Sequence, residues 1–329
     1  MHTIVKITLL TAVWTALTLT AAVAADVAQA PQKFPSKPIR VMVPSSAGTP
    51  PDMLARMIGA KLSEHWGQPI VVDGRLGAGG ALAANIVAKA APDGHTLLLS
   101  PGFSVSAALQ PNLPYDPFKD FAGVSQIGIG TGALIVAPAL GVKSVKDLIE
   151  LAKAQPGKII FASGPIGTAI HMIGARIIHV AGIKVITVAF KGSPEQIIEI
   201  LAGRTHFAYV PLAPALPFIK DGKLLALGVS TPQRLGGLPD VPPLAETLPE
   251  FKASGVSFGL LAPAATPRPI LHKISKDVAR VLDHPDIKAW LQDVGIVAAP
   301  STPEEYDKIL REQVALISAT AKELGLKAR

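Results

Sequence analysis

An α/β chain with two mainly parallel sheets, each flanked by helices, is what this sequence predicts, on three observations. From residue 39 onward, short and almost continuously apolar runs alternate with longer helical patterns, as strands covered on both faces by helices should. Several of the helical patterns begin at Asp, Ser or Thr and stop at Gly. The 329 residues, 49% of them hydrophobic, suffice for two ordinary α/β domains or one large one.

Residues 7–24, ITLLTAVWTALTLTAAVA, follow Lys6 and end in small residues around Ala22-Val23-Ala24. This is the composition of a secretory signal with an A-x-A cleavage site, and it predicts a signal peptide over 1–24 and export. An uncleaved membrane anchor is the alternative, against which stand the small residues and the Ala/Gln/Pro-rich stretch that follows. AQAPQKFPSKP at 28–38 then reads as a tether.

Strands are expected at 39–43 (IRVMV), 69–72, 95–100, 133–138, 158–163, 185–190, 205–210 and 224–230. Helices are expected at 52–64, 82–91, 144–153, 169–181 and 194–202. This βαβ alternation gives a doubly wound sheet. The Pro-rich stretch 230–250 is a long surface connection, after which SFGLLAPAATPRP supplies one more strand before helices at 269–283, 285–294 and 303–324. If that strand returns to the first sheet, residues 25–125 and 255–329 make one discontinuous domain and 126–254 a second. Two crossings, near 123–132 and 250–260, would then act as a hinge, loosened by Gly123, Gly128, Gly130 and Gly132.

Cysteine is absent, which excludes a disulfide framework, a thiolate nucleophile and a lipid-modified cysteine. Loss of 1–24 removes Lys6 and no acid, so the formal charge goes from +7 to +6. No dense Lys/Arg run accompanies it, so the surface favours anions mildly and no nucleic acid is expected as a partner.

In an open α/β sheet, ligands sit beyond the carboxyl ends of the strands, where loops lead into helix N-termini. Two loops fit. PSSAGTPPD offers Ser45, Ser46, Ala47, Gly48 and Thr49 before a helix with Asp52 as its expected cap. SGPIGTAIH offers Ser163, Gly164, Gly167 and Thr168 before the helix that carries His171. Both suit an anion, and plain turn chemistry is the competing reading of each. GRLGAGG at 74–80 lacks the Gly-Lys-Ser/Thr of a phosphate loop and reads as tight packing at a helix start. The serines lack a G-x-S-x-G elbow and the eight histidines show no HExxH or paired-ligand spacing. No catalytic set, metal or cofactor is therefore expected. His95 and His206, in or beside apolar strands, are read as structural. Asp116 and Asp120 in LPYDPFKDF are read as turn residues rather than an acid pair.

FPSKPIRVMVPSSAG, GRLGAGG, AAPDGHTLLLS, LPYDPFKDF, FKGSPEQIIEILAGR, LPDVPPLAE and GLLAPAATP, in this order over nearly all of the mature chain, resemble the Bug family. These are the TctC-like extracytoplasmic solute receptors of tripartite tricarboxylate transporters. The resemblance implies a periplasmic, monomeric, two-domain Venus flytrap with an interrupted first domain. It also implies a small organic acid held in the cleft by the two loops and bridging waters, and permease subunits as membrane partners. A sensor subunit serving a signalling receptor is the alternative, followed by a hydrolase or isomerase on the same scaffold.

Against the family pattern, the first loop keeps Pro44, Gly48 and Asp52, but Thr49-Pro50-Pro51 replaces the rest and removes two N–H donors. The second keeps Ser163, Gly167, Thr168 and His171 but carries Pro165-Ile166 and Ala169-Ile170. Phe190 stands where Tyr is usual, and Val210 where Asp often closes a strand facing the cleft. These departures point to a more apolar pocket and to a monocarboxylate with an apolar or aromatic body.

Overall fold

The structure, a computed structural model, describes residues 34–110, 112–164, 168–251, 255–323 and 325. The expected signal peptide over 1–24 lies outside these residues, as does Gly167. Residues from Lys37 onward form one unit.

The first sheet has the order β11-β4-β10-β3-β1-β2. Its strands are β1 (Ile39–Val43), β2 (Ile70–Gly74), β3 (Thr96–Pro101), β4 (Phe121–Gly130), β10 (Val256–Pro263) and β11 (Ile296–Ala298). The second has the order β7-β6-β8-β5-β9. It is built from β5 (Gly132–Val136), β6 (Ile160–Ser163), β7 (Ile186–Ala189), β8 (Phe207–Pro211) and β9 (Leu225–Val229). The helices, in chain order, are α1 (Pro50–Trp66), α2 (Ala81–Ala88), α3 (Phe103–Leu109), α4 (Val145–Ala154), α5 (Ala169–Ala181) and α6 (Ser193–Leu201). They continue with α7 (Leu212–Lys220), α8 (Leu244–Thr247), α9 (Arg268–Leu282), α10 (Pro285–Asp293) and α11 (Pro303–Glu323).

The sheets are mixed rather than mainly parallel. In the first, β1 pairs in parallel with β2 and β3, but β10 is antiparallel to both β3 and β4, and β11 antiparallel to β4. In the second, β6 pairs in parallel with β7 and β8, whereas β5 is antiparallel to β8 and β9. The reason is topological. Strands joined through helices share one direction, and the strand that arrives straight from the other sheet enters each set reversed.

The chain leaves the first sheet at Thr131, between β4 and β5, and returns between β9 and β10. A boundary at residue 125/126 would cut β4, which pairs in the first sheet along its length up to Gly130. Nor do the glycines of this stretch loosen it. A Cβ on Gly123 would lie 2.8 Å from Asp307 Oδ1, one on Gly128 2.7 Å from Ile296 Cγ2, and one on Gly130 3.0 Å from the Phe258 ring. They are the places where α11, β11 and β10 press closest onto β4.

Local chemistry sets the helix ends. α1 has Pro50 and Pro51 in its first turn, where the missing N–H groups cost no intrahelical hydrogen bond, and stops at Gly67 with φ 68°. α5 starts after Thr168 and stops at Gly182 with φ 61°. On the first sheet, Met42, Leu98, Phe103, Phe121, Leu261 and Tyr306 form a buried cluster. On the second, one cluster gathers round Phe161, Phe207 and Tyr209, and another round Ile135, Ile197 and Val210.

Candidate ligand-binding site

The first candidate loop, between β1 and α1, is braced from within. The Gly48 N–H donates to Asp52 Oδ2 at 2.9 Å, and the Thr49 hydroxyl donates to the Ser46 carbonyl at 2.7 Å. Thr49 occupies the cap position, and Asp52 is the third helical residue, reaching back over the turn rather than capping it directly. Its carboxylate is buried and also accepts Arg56 Nε at 2.9 Å and Nη2 at 3.0 Å. The Arg56 guanidinium, helped by the Gly48 N–H, holds the Asp52 carboxyl below its ordinary value despite the opposing cost of burial. One backbone donor expected for an anion is thus already engaged. Ser45 Oγ, by contrast, is shielded from solvent and has no hydrogen-bond partner among the described residues, while Ser46 and Ala47 are exposed.

The GRLGAGG stretch supports this loop. A Cβ on Gly74 would lie 2.7 Å from the Ser45 carbonyl oxygen, and one on Gly80 3.2 Å from Pro44 Cβ. Gly79 and Gly80 also take φ values of 60° and 97°, which glycine adopts without strain. The cluster is close packing, as its sequence suggested.

In the second loop, Ser163 and Gly164 are buried, and the Ser163 carbonyl accepts the Phe190 N–H at 2.9 Å. Thr168 is the N-cap of α5, its Oγ1 accepting the His171 N–H at 3.3 Å. The His171 side chain is buried, and burial pushes its pKa below the ordinary histidine value. Phe190 is half-buried against the core of the second sheet. Val210 is fully buried in the same core, packed in one cluster with Ile135 and Ile200. The expectation that Val210 faces the cleft fails, because the alternation along β8 turns residues 208 and 210 to that cluster and 207 and 209 to the other.

Among the other expected structural residues, the Asp116 carboxylate accepts the N–H groups of Phe118 and Lys119 at 2.9 and 3.1 Å, and Asp120 accepts that of Asp116 at 2.7 Å. His206 Nδ1 accepts the Ile160 N–H at 2.9 Å. Among the described residues, no three His, Asp or Glu side chains gather as metal ligands would.

A cavity of about 380 Å³ opens at the start of α5, within the size range of small-molecule sites. Both sheets contribute to it. Gly102, Ser104 and Val105 line it from the end of β3, Ala169, Met172 and Ile173 from α5, and Ser230 and Thr231 from the end of β9. The crossing residues Ile129, Val256 and Ser257 and one face of α11 complete it. Its cationic side chains are already paired. Arg176 donates to Glu323 at 2.7 Å and Arg234 to Glu246 at 3.1 Å. Among the described residues, none of the candidates Ser45, Ser46, Ala47, Gly48, Thr49, Ser163, Gly164, Thr168, His171, Phe190 and Val210 lines this cavity, and from the second loop only Ala169 does. The rule that selected the loops also applies at Gly102 and Ser230, which follow β3 and β9, and would have found this wall.

The chain matches the family model described as "Tripartite tricarboxylate transporter family receptor" over residues 54–326. Three solved structures share its fold. The periplasmic binding protein BugD is 27% identical, with a TM-score of 0.72 over 90% of this chain and 100% of its own. R. palustris Rpa4515, with adipate, is 29% identical, with a TM-score of 0.74 over 89% and 98%. MatC from Rhodopseudomonas palustris, with bound malate, is 30% identical, with a TM-score of 0.70 over 87% and 99%. The fold is therefore that of the two-domain periplasmic binding proteins, and the chain belongs to the tripartite tricarboxylate transporter receptor family that includes the Bug proteins.

Proposed function

We propose that this chain is an exported, monomeric periplasmic receptor that captures a small carboxylate between its two halves and delivers it to the permease subunits of a tripartite transporter. The observation that carries the reading is the opening of the α5 N-terminus onto a cavity lined from both sheets. A helix start offers N–H donors and a favourable dipole to an anion, and waters extend that reach. Residues 45–49 are the opposing seat, with Ser45 Oγ the side-chain donor left over once Gly48 is engaged. Residues 37–130 with 256–325 form one domain in this reading and 132–229 the other, and capture closes them about the two crossings.

Relatives bound to malate and adipate support a carboxylate. The apolar wall of Met172, Ile173 and Val256, and arginines already paired with glutamates, favour an acid with an apolar or aromatic body over one with a second charge. Calorimetric titration with benzoate and hexanoate should give one site per chain, and small-angle scattering of the saturated protein should show compaction. Saturable binding without compaction would reject closure, and no binding by any carboxylate would reject the reading itself.

A further inference from the structure

Two serines in the cavity wall are each hydrogen-bonded to a buried tyrosine. Ser230 Oγ accepts the Tyr209 hydroxyl at 2.8 Å and the Gly132 N–H at 3.2 Å. Ser257 Oγ accepts Gln126 Nε2 at 3.0 Å, and Ser257 is also hydrogen-bonded to the Tyr306 hydroxyl. Both serines are almost fully buried, and each stands at a crossing between the sheets, Ser230 at the end of β9 and Ser257 in β10. A hydroxyl has two acceptor positions and one proton. With both acceptor positions of Ser230 filled by neighbours, what it has left is its own O–H, and both serines line the cavity. Around them the wall is apolar, formed by Val105, Met172, Ile173, Val256, Leu316 and Ile317.

We propose that this cavity is a separate subsite for the body of the ligand, taking an unbranched or aromatic carbon skeleton and donating a hydrogen bond from Ser230 to an uncharged oxygen on it. The subsite rests on the carboxylate reading for the rest of the ligand and names the class more narrowly, as acids of medium length that carry an oxo, hydroxyl or ester oxygen away from the carboxylate. A serine donor suits such an oxygen. A second carboxylate would be buried without a cation, since Arg176 already pairs with Glu323. The cavity also assigns a role to α11, whose Leu316 is 38% exposed and forms part of the wall.

The test is calorimetric titration with straight-chain acids from propionate to octanoate, with 6-oxoheptanoate beside heptanoate, and with neutral hexanol. Wild-type protein and the variants Leu316→Trp and Val105→Phe are compared. Both sites are partly exposed, so the larger side chains project into the cavity without repacking a core. Affinity should rise about fourfold for each added methylene until the cavity is full. The oxo acid should bind more tightly than heptanoate, and Ser230→Ala should remove that difference. In the filled variants the rise should stop at shorter acids. A flat series in wild-type protein that still binds propionate, or the same slope in both filled variants, would overturn the subsite and leave the carboxylate reading standing. Binding of hexanol that Leu316→Trp abolishes, with no acid bound, would do the reverse.

Discussion

The Tyr306 hydroxyl occupies the space that a Cβ on Gly259 would need, and Tyr209 stands in the same relation to Gly132. Both rings are fully buried, and burial raises both phenol pKa values above the ordinary one. Each pair fixes a strand at a crossing between the sheets, one in β10 and one in β5. Gly259→Ala should therefore destabilise by about 3 kcal/mol, at the upper end of overpacking costs. The double variant with Tyr306→Leu should lose less than the sum of the two single changes. Urea denaturation of the four proteins measures the coupling, and simple additivity would show that the close approach is not what requires glycine.

This relationship also marks how far the sequence was legible. α5 was readable to the residue, because Thr168 and Gly182 are local start and stop signals. β4 was missed, and its glycines were read as slack, because the side chains that require them, Tyr306, Asp307, Ile296 and Phe258, lie more than 120 residues away in the chain. β11, of three residues, is too short for any period to show. Val210 was assigned to the wrong side because the alternation of a strand buried on both faces does not say which face is which. The cavity was missed for a related reason, since its wall is assembled from β3, α5, β9, β10 and α11 and no one segment announces it.

Asp52 braces the first loop through Gly48, and its removal should be felt as a lost helix-start interaction. Asp52→Asn should cost about 1 kcal/mol at pH 7. The folded-state pKa is depressed, so this contribution is fully present above the ordinary carboxylate value and is lost as pH falls through the folded-state value. The gap between wild type and variant should close below about pH 4. Denaturation curves at pH 7 and at acid pH decide it, and a gap that widens in acid would contradict the assigned sign.

His171 gives a second pH dependence in a different window. Burial lowers its folded-state pKa from the ordinary 6.5, so the unfolded chain takes up the proton first. Its contribution is complete above pH 6.5 and declines as pH falls below that value. Melting temperature should drop between about pH 6.5 and 5 in wild type and stay flatter in His171→Gln. Parallel slopes in the two proteins would remove His171 from the account.

Thr168 caps α5 at the proposed anion seat, and the two roles separate by substitution. Thr168→Val should lower stability by about 1 kcal/mol through the lost cap and weaken carboxylate binding by about 1–2 kcal/mol. Thr168→Ser should preserve both. Chemical denaturation reads the first effect and calorimetry the second, and an unchanged affinity in the valine variant would place the anion elsewhere.

The central claim is that the chain holds a carboxylate by its head and an apolar body in a cavity between the two sheets, and a thermal-shift panel of aliphatic, aromatic and polycarboxylic acids tests it most directly. A ligand at one hundred times its Kd stabilises the folded state by about 2.7 kcal/mol, which moves the melting temperature measurably. The account predicts the largest shifts from benzoate-like and medium-chain acids and smaller ones from malate, citrate and glutamate. Citrate or a C4 dicarboxylate at the head of the ranking, with no shift from the apolar acids, would contradict it.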